Sequence, residues 1–318
     1  MFSRLSIPTP FQVGPVNAYL AGRTIIDPGP DSEESWEALA AGLADHDLEP
    51  GDLDRALITH PHPDHFGAAR RLREAGVEIL AAPATAEIIR AFGDRLDYEQ
   101  SFFEDFFVAH GMSRSTASTV VELPEAYLPY APDCEVDATL ADGDVLEIAD
   151  LDVTVEAVEG HAPGELIFTY EAAGRDRAIV GDHVLGDVTP NPLLQPPAEP
   201  GGERPRMLPA YNDSLAELRD RGLDEILPGH GERIEAPGER IDEMLAAHED
   251  RTDNVRALVE EPATAMDVME GLFDDLPATE YFPAMSEAIG HLDVLEARGD
   301  VTPTEGDDGL VRYEATGA

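Results

Sequence analysis

A dense group of metal-binding residue types is the feature that most constrains this chain. Residues 60–66 read His-Pro-His-Pro-Asp-His-Phe, whereas the whole chain of 318 residues contains only 10 His. The apolar run before them, residues 55–59, is typical of a buried strand, and residues 66–75 read as a helix. Pro61 and Pro63 lack a backbone N–H and keep the intervening turn extended, so its side chains fan outward. Neutral imidazoles beside a carboxylate suit zinc, so we predict a metal site at this turn.

Three shorter motifs follow in the chain, each after an apolar run. They read Glu-Gly-His-Ala-Pro-Gly at residues 159–164, Ile-Val-Gly-Asp at 179–182 and Leu-Pro-Gly-His-Gly at 227–231. Together with the first motif, they resemble the signature of the metallo-β-lactamase superfamily. The resemblance implies an α+β fold, an αββα sandwich in which two facing sheets carry helices on their outer faces.

The same resemblance implies a set of metal ligands. One metal would take His60, His62 and His161, the second would take Asp64, His65 and His230, and Asp182 would bridge the two. It further implies two zinc ions per chain, with iron or manganese as alternatives, and hydrolysis by a shared hydroxide. Asp64 would be the catalytic residue that helps to manage the proton of the water.

Four residues near these motifs have open roles. The family usually has Thr and then Ser or His where this chain has Ala162 and Glu165, which puts in doubt any second histidine there. His183 either supports the metal site or only packs. Asp27 resembles the aspartate of the family's Asp-x-Gly turn, which often supports the metal site, but it also reads as a plain turn residue.

The charge of the chain is extreme. It contains 66 acidic residues against 21 basic ones, all of them Arg, for a net charge of −45. At ~1 M salt the Debye length falls to about 3 Å and self-repulsion is screened. Because the acidity is spread along the whole chain, it predicts adaptation to a salt-rich cytoplasm rather than a basic partner.

Other features of composition restrict the class of protein. A single cysteine, Cys134, excludes an internal disulfide and a cysteine zinc cluster. The sequence has no apolar run as long as a membrane span, and its first residues lack the apolar region of a signal peptide. We therefore expect a cytoplasmic protein that does not span a membrane.

The sequence predicts two domains. Residues 1–235 would form the catalytic domain, with a helical insert at about residues 93–131, and residues 236–318 would form a winged-helix-like domain. In the latter, helices at about 238–259, 264–273 and 286–298 precede a small hairpin, which resembles the tail of the lactamase-β-like endoribonuclease. The third helix, from Glu287 to Arg298, is acidic rather than basic. We therefore expect a cap over the substrate or a homodimer contact, not a DNA reader.

The insert contains four phenylalanines within residues 101–108. They read either as ordinary core or as a lid over the site, and His110 and Tyr127 are candidate substrate contacts. His46, His248 and His291 are expected to be solvated on helix surfaces.

The substrate is the least constrained property. The apolar insert favours a small ester or thioester as the small-molecule substrate. An endoribonuclease or phosphodiesterase is supported by the tail, but the chain has no Lys and no basic run to hold a nucleic-acid backbone, which makes a nucleic-acid partner the weaker alternative. An iron-dependent enzyme similar to the sulfur dioxygenases and a non-catalytic regulator or scaffold remain further alternatives.

Overall fold

The computed structural model describes residues 1–316, and these residues form two compact units. Unit 1 comprises residues 1–93, 126–190 and 217–241. Unit 2 comprises residues 94–125 and 191–216 together with the chain from residue 242 onward. The domain boundaries that the sequence predicts stay a prediction.

Unit 1 contains two β-sheets. The first has the order β1 (Ser3–Ile7), β2 (Val16–Ala21), β3 (Thr24–Ile26), β4 (Arg55–Leu57), β5 (Glu78–Ala81) and β6 (Ala138–Thr139). The second has the order β7 (Val145–Ile148), β8 (Leu151–Val158), β9 (Glu165–Ala172), β10 (Arg175–Ile179) and β11 (Glu225–Leu227), with β7 and β11 at its edges. The strands from β3 to β6 are parallel, as are β10 and β11, and the other pairings are antiparallel.

The sandwich follows from the alternation of side chains along its strands. In β2, Ala18 and Leu20 belong to the apolar layer that also contains Leu39 of the first helix, whereas Tyr19 and Ala21 belong to a layer shared with the second sheet. Successive residues of a strand point to opposite faces, so a strand buried on both faces is apolar throughout. The predicted α+β class and its two facing sheets are therefore confirmed.

The start of the chain differs from the prediction. The sequence pattern from Phe11 to Leu20 predicts one strand, but β2 begins only at Val16, and β1 pairs with it in antiparallel orientation. The intervening residues contain Pro10, Gly14 and Pro15, and proline cannot donate to a β ladder. These residues form a connecting turn, closed by a bond from Gly14 N–H to Phe11 O of 3.3 Å.

Four helices belong to unit 1: α1 (Glu33–Ala44), α2 (Pro63–Phe66), α3 (Ala69–Glu74) and α4 (Pro83–Arg90). Ser32 caps α1 by accepting a bond from Ser35 N–H at 3.1 Å. Leu39 and Leu43, one turn apart, bury the inner face of α1. The one-turn helix α2 begins with Pro63, whose missing N–H costs nothing at that position.

Unit 2 is mainly helical. Its helical segments come from α5 (Phe92–Ala109), α6 (Arg114–Glu122), α7 (Met207–Asp220), α8 (Pro237–Leu258), α9 (Ala265–Leu272) and α10 (Tyr281–Arg298). A hairpin of β12 (Val301–Glu305) and β13 (Val311–Ala315) follows α10. Three helices and then a hairpin is the predicted order, and the winged-helix class stays a prediction. None of the described helices is long and apolar enough to cross a membrane.

The phenylalanine-rich insert is core. Phe103 and Phe107 are buried with their rings 5.5 Å apart, and Phe282 of α10 packs 5.0 Å from Phe103. His110 is also buried and donates from Nδ1 to Phe106 O at 2.8 Å. These side chains stabilise unit 2 through their packing, so the alternative of a lid is not supported and His110 does not present its ring as a substrate contact.

Two histidines of unit 2 correct the prediction of solvated side chains. His248 and His291 are buried, with 7% and 2% exposure. His248 donates from Nδ1 to Asn212 Oδ1 at 2.7 Å, and His291 donates to Thr252 Oγ1 at 2.8 Å. The helical stretches that carry these histidines read as surface in the sequence, but they turn both side chains inward. His46 is exposed, as expected.

Candidate metal centre

The four sequence motifs meet at one edge of unit 1 because of strand direction. His60 to His65 follow β4, His161 lies between β8 and β9, Asp182 follows β10, and His230 follows β11. In the second sheet, the end of β8 lies beside the start of β9 and the end of β10, since both pairings are antiparallel. β11 runs parallel to β10, so its end lies at the same edge.

The first group of predicted ligands converges around His62. The Nδ1 atom of His62 lies 3.0 Å from His60 Nε2 and 3.2 Å from His161 Nε2. Asp182 Oδ2 lies 3.9 Å from His161 Nε2. All four residues present one ligand atom within 4.8 Å of one another, so they could hold one divalent cation.

The second group contains Asp64, His65 and His230. Its His230 Nε2 lies 3.3 Å from Asp64 Oδ2. Asp182 is close to this group too, with Oδ1 at 3.4 Å from His65 Nε2 and Oδ2 at 3.6 Å from His230 Nε2. The carboxylate of Asp182 therefore lies between the two groups, and the family resemblance implies a bridging residue at this position.

Hydrogen bonds on the far side of three rings determine which nitrogen faces the centre. Thr59 Oγ1 donates its proton to Asp27 Oδ2 at 2.7 Å, so it accepts from His60 Nδ1 at 2.9 Å. His65 Nδ1 donates to Asp27 Oδ2 at 2.9 Å, and His230 Nδ1 donates to Pro15 O at 2.9 Å. With Nδ1 acting as donor, each of these rings directs Nε2 toward the centre.

Asp27 is a support of the centre rather than a plain turn residue. It is 1% exposed and adopts a positive φ of 54°, which aspartate tolerates better than most residues. Its carboxylate accepts from Thr59 N at 2.9 Å in addition to the two bonds at Oδ2. One carboxylate thus orients both His60, through Thr59, and His65.

Close approach of the backbone explains the glycine of the last motif. A Cβ atom on Gly229 would lie 2.3 Å from Asp182 Oδ1 and 2.7 Å from His65 Cε1. Any side chain there would displace residues of both groups. The Pro-Gly-His sequence is therefore required by space as well as by its histidine.

The electrostatics of the centre keep two of its imidazoles neutral and keep Asp182 ionised. Burial lowers the pKa of His60 well below 6.5 and that of His161 to about 3, and the neighbouring imidazoles act in the same direction. For His65, burial is outweighed by Asp182, Asp27 and Asp64, which hold its pKa well above 6.5. Burial opposes ionisation of Asp182 as well, but His65 and His230 outweigh it and keep its pKa low.

The residues fit a pair of divalent cations. His65 Nε2, His230 Nε2 and Asp182 Oδ1 are buried and have no hydrogen-bond partner among the described residues. Buried polar atoms are normally paired, and an unpaired one calls for an explanation such as an ion. Imidazole nitrogens and carboxylate oxygens at this spacing are the donors that zinc and similar metals take.

A buried carboxylate–histidine pair lies close to two of the predicted ligands in the chain. Glu165 and His183 have fully buried side chains, and His183 Nδ1 donates to Glu165 Oε2 at 3.0 Å. Burial raises the pKa of the Glu165 carboxyl, whereas His183 and the backbone N–H of His161 oppose that rise. The sequence signalled Glu165 only as a departure from the family pattern and did not connect it to His183.

Comparison with known proteins agrees with this geometry. Residues 12–230 match the metallo-β-lactamase superfamily, and residues 252–316 match the metallo-β-lactamase-like C-terminal domain. The probable metallo-hydrolase YqjP of Bacillus subtilis (strain 168) is 31% identical over 303 residues, covering 94% of this chain and 93% of its own length.

Two solved structures are similar over nearly the whole chain. A metallo-β-lactamase family protein from Thermus thermophilus has a TM-score of 0.81 at 26% identity, covering 99% of this chain and 98% of that one. A β-lactamase domain protein from Burkholderia ambifaria has a TM-score of 0.82 at 27% identity, covering 99% and 92%. The chain therefore belongs to the metallo-β-lactamase superfamily and is a hydrolase of that fold.

Proposed function

We propose that this protein is a dinuclear metal hydrolase that acts on a small ester or thioester. Its ligands would be His60, His62 and His161 for one zinc ion and Asp64, His65 and His230 for the other, with Asp182 shared. The observation that carries the proposal is the convergence of these ligand atoms, with Nε2 of three rings directed inward by bonds on the opposite side.

Asp182 and Asp64 would have different roles in hydrolysis. When bound, the cations supply a water whose pKa is lowered from 15.7 to about 7 and an electrophile for the carbonyl oxygen. Asp182 fixes the spacing of the two positions because its oxygens face ligands of both groups. Burial opposes ionisation of Asp64, but His65 and His230 outweigh it and hold its pKa below the usual range. An ionised Asp64 keeps carboxylate oxygens that can accept a hydrogen bond from the attacking water and orient it, which supports its catalytic role.

An aromatic surface in unit 1 supports an apolar group on the substrate. The ring of Phe11 lies 5.1 Å from that of Tyr127 and 5.7 Å from that of Tyr130. The turn that contains Phe11 leads to Pro15, whose carbonyl oxygen accepts a hydrogen bond from His230. Tyr127 is 45% exposed, so its ring can contact a ligand.

The arginines after the first motif argue against a nucleic-acid backbone as substrate. Arg70 is paired with Glu74 and Arg73 with Asp137, each at 3.1 Å. A phosphodiesterase of long nucleic acids needs basic side chains that can release counterions from the phosphates. These two are already engaged with carboxylates, so a small neutral or acyl substrate fits better.

The test is metal analysis followed by a substrate panel, both in ~1 M KCl so that the acidic surface is screened. We expect two zinc ions per chain and turnover of p-nitrophenyl esters or acyl thioesters above that of bis-p-nitrophenyl phosphate. Loss of turnover in Asp64→Asn, but not in the control His46→Ala, would link the activity to the centre. Phosphodiester turnover alone, iron as the bound metal, or no turnover of any member would each contradict the proposal.

A further inference from the structure

The structure assigns Glu165 and His183 as a positioning pair that sets the distance between His161 and Asp182. This inference rests on the proposed metal centre. Glu165 lies four residues after His161 at the start of β9, and His183 directly follows Asp182. Their bond at 3.0 Å therefore joins two segments that each carry one predicted ligand.

Strand register brings the two segments together. β9 and β10 pair in antiparallel orientation with Phe168 opposite Ile179. Continuing that register by three residues places Glu165 opposite Asp182, just beyond the last paired residues. The hydrogen bond between Glu165 and His183 thus joins the two segments just beyond the last residues that pair between β9 and β10. It takes the place of ladder hydrogen bonds in fixing the two segments.

The segment of His161 is held on its other side as well. Thr85 Oγ1 donates to Gly164 O at 2.8 Å, and a Cβ on Gly164 would lie 2.8 Å from Thr85 N. Gly164 has a φ of 66°, a region that favours glycine. Because Thr85 holds the backbone just before Glu165, the direction of the Glu165 carboxylate is fixed. Its bond to His183 therefore also fixes the position of the neighbouring Asp182.

Burial makes the pair sensitive to change. Both side chains are 0% exposed, so removal of one partner takes this hydrogen bond away from a buried polar group. Without the pair, the segments of His161 and Asp182 could separate, although their ligand atoms lie 3.9 Å apart in the structure. Changes to residues that orient metal ligands typically cost about 10–100-fold in metal affinity.

The experiment measures Co2+ binding to the metal-free full-length protein by competition with a chromophoric chelator, together with the visible spectrum of bound Co2+. We expect Glu165→Ala to weaken binding about 10–100-fold and to alter the spectrum. Glu165→Gln, which still accepts a bond from His183, should restore affinity and spectrum close to wild type. If Glu165→Ala does not fold, Glu165→Asp carries the same expectation, because its carboxylate is one methylene too short.

Glu225 provides the matched control. It forms a buried ion pair with Arg177 at 2.7 Å in the same sheet, and neither residue adjoins a ligand. Glu225→Ala should lower the melting temperature and leave Co2+ affinity unchanged. Wild-type affinity in Glu165→Ala, or an equal loss in both variants, would overturn the positioning role while leaving the metal centre intact. Absence of Co2+ binding by the wild type would overturn the proposed function itself, and the positioning role with it.

Discussion

Replacement of Asp27 by Asn tests whether ring orientation, rather than ligand identity alone, determines metal affinity. The carboxylate accepts three bonds, from Thr59 N at Oδ1 and from Thr59 Oγ1 and His65 Nδ1 at Oδ2. An asparagine has one acceptor oxygen and one NH2 group, so it cannot accept at both positions.

Either orientation of the amide has a cost. If its oxygen occupies the place of Oδ2, the NH2 group faces the Thr59 N–H and leaves a buried donor unpaired. If its NH2 group occupies that place, His65 must accept at Nδ1 and carry its proton on Nε2, the atom that faces Asp182. Thr59 Oγ1 would then donate to His60 Nδ1, which changes the tautomer of that ring as well.

The magnitude follows from the bonds at stake. A hydrogen bond to a charged group contributes about 1.5–3 kcal/mol. At about 1.4 kcal/mol per factor of ten, loss of one such bond weakens metal binding about 10–150-fold. Competition with a chelator measures this affinity, and 15N chemical shifts of the histidine rings report the tautomers directly.

Asp47→Asn is the control for the backbone. Asp47 also has a positive φ, of 59°, but it is exposed. The Asp47→Asn variant should bind metal with the affinity of the wild type. The reasoning would be refuted if Asp27→Asn kept wild-type metal affinity with the proton of His65 on Nδ1, or if Asp47→Asn lost affinity equally.

Three further predictions concern the centre, the pH and the salt. Asp182→Ala should retain its fold but lose both bound metals and turnover, because one carboxylate faces both groups; two metals by elemental analysis would contradict this. Burial lowers the pKa of His248 to about 4 and of His291 to about 3 from 6.5, so the unfolded state binds more protons below 6.5. The free energy of unfolding should therefore fall as pH drops from about 6.5 toward 4, and a His248→Asn, His291→Asn double variant should show a flatter profile in denaturant titrations. With a net charge of −45, the melting temperature should fall as KCl is reduced below ~1 M, whereas a melting temperature independent of salt would argue against salt adaptation.

The strands and the first four candidate ligands were accessible from the sequence because they depend on local patterns, and the fold class followed from the family resemblance. Apolar runs of four to eight residues mark strands, and each motif stands at the end of one. The side chains of His60, His62, Asp64 and His65 share one short turn, so their proximity needs no tertiary information. The resemblance to a known family supplied the remaining three ligands and their order.

The surroundings of the ligands were not accessible, because the contacts join distant parts of the chain. His230 donates to Pro15 across 215 positions, and His65 to Asp27 across 38. No pattern in the sequence relates the members of these pairs, and Pro15 and Asp27 each read equally well as plain turn residues. Burial of His248 and His291 was missed for a similar reason, since it depends on how helices of unit 2 pack.

The sequence by itself determined which atoms are available to a metal and at which strand ends they stand. The tertiary structure decided which nitrogen of each ring faces the centre, that Asp182 lies between the two groups, and that Glu165 meets His183. The physical reason is that residue type fixes donor chemistry, whereas orientation is fixed by hydrogen bonds to partners that only the folded chain brings within about 3 Å.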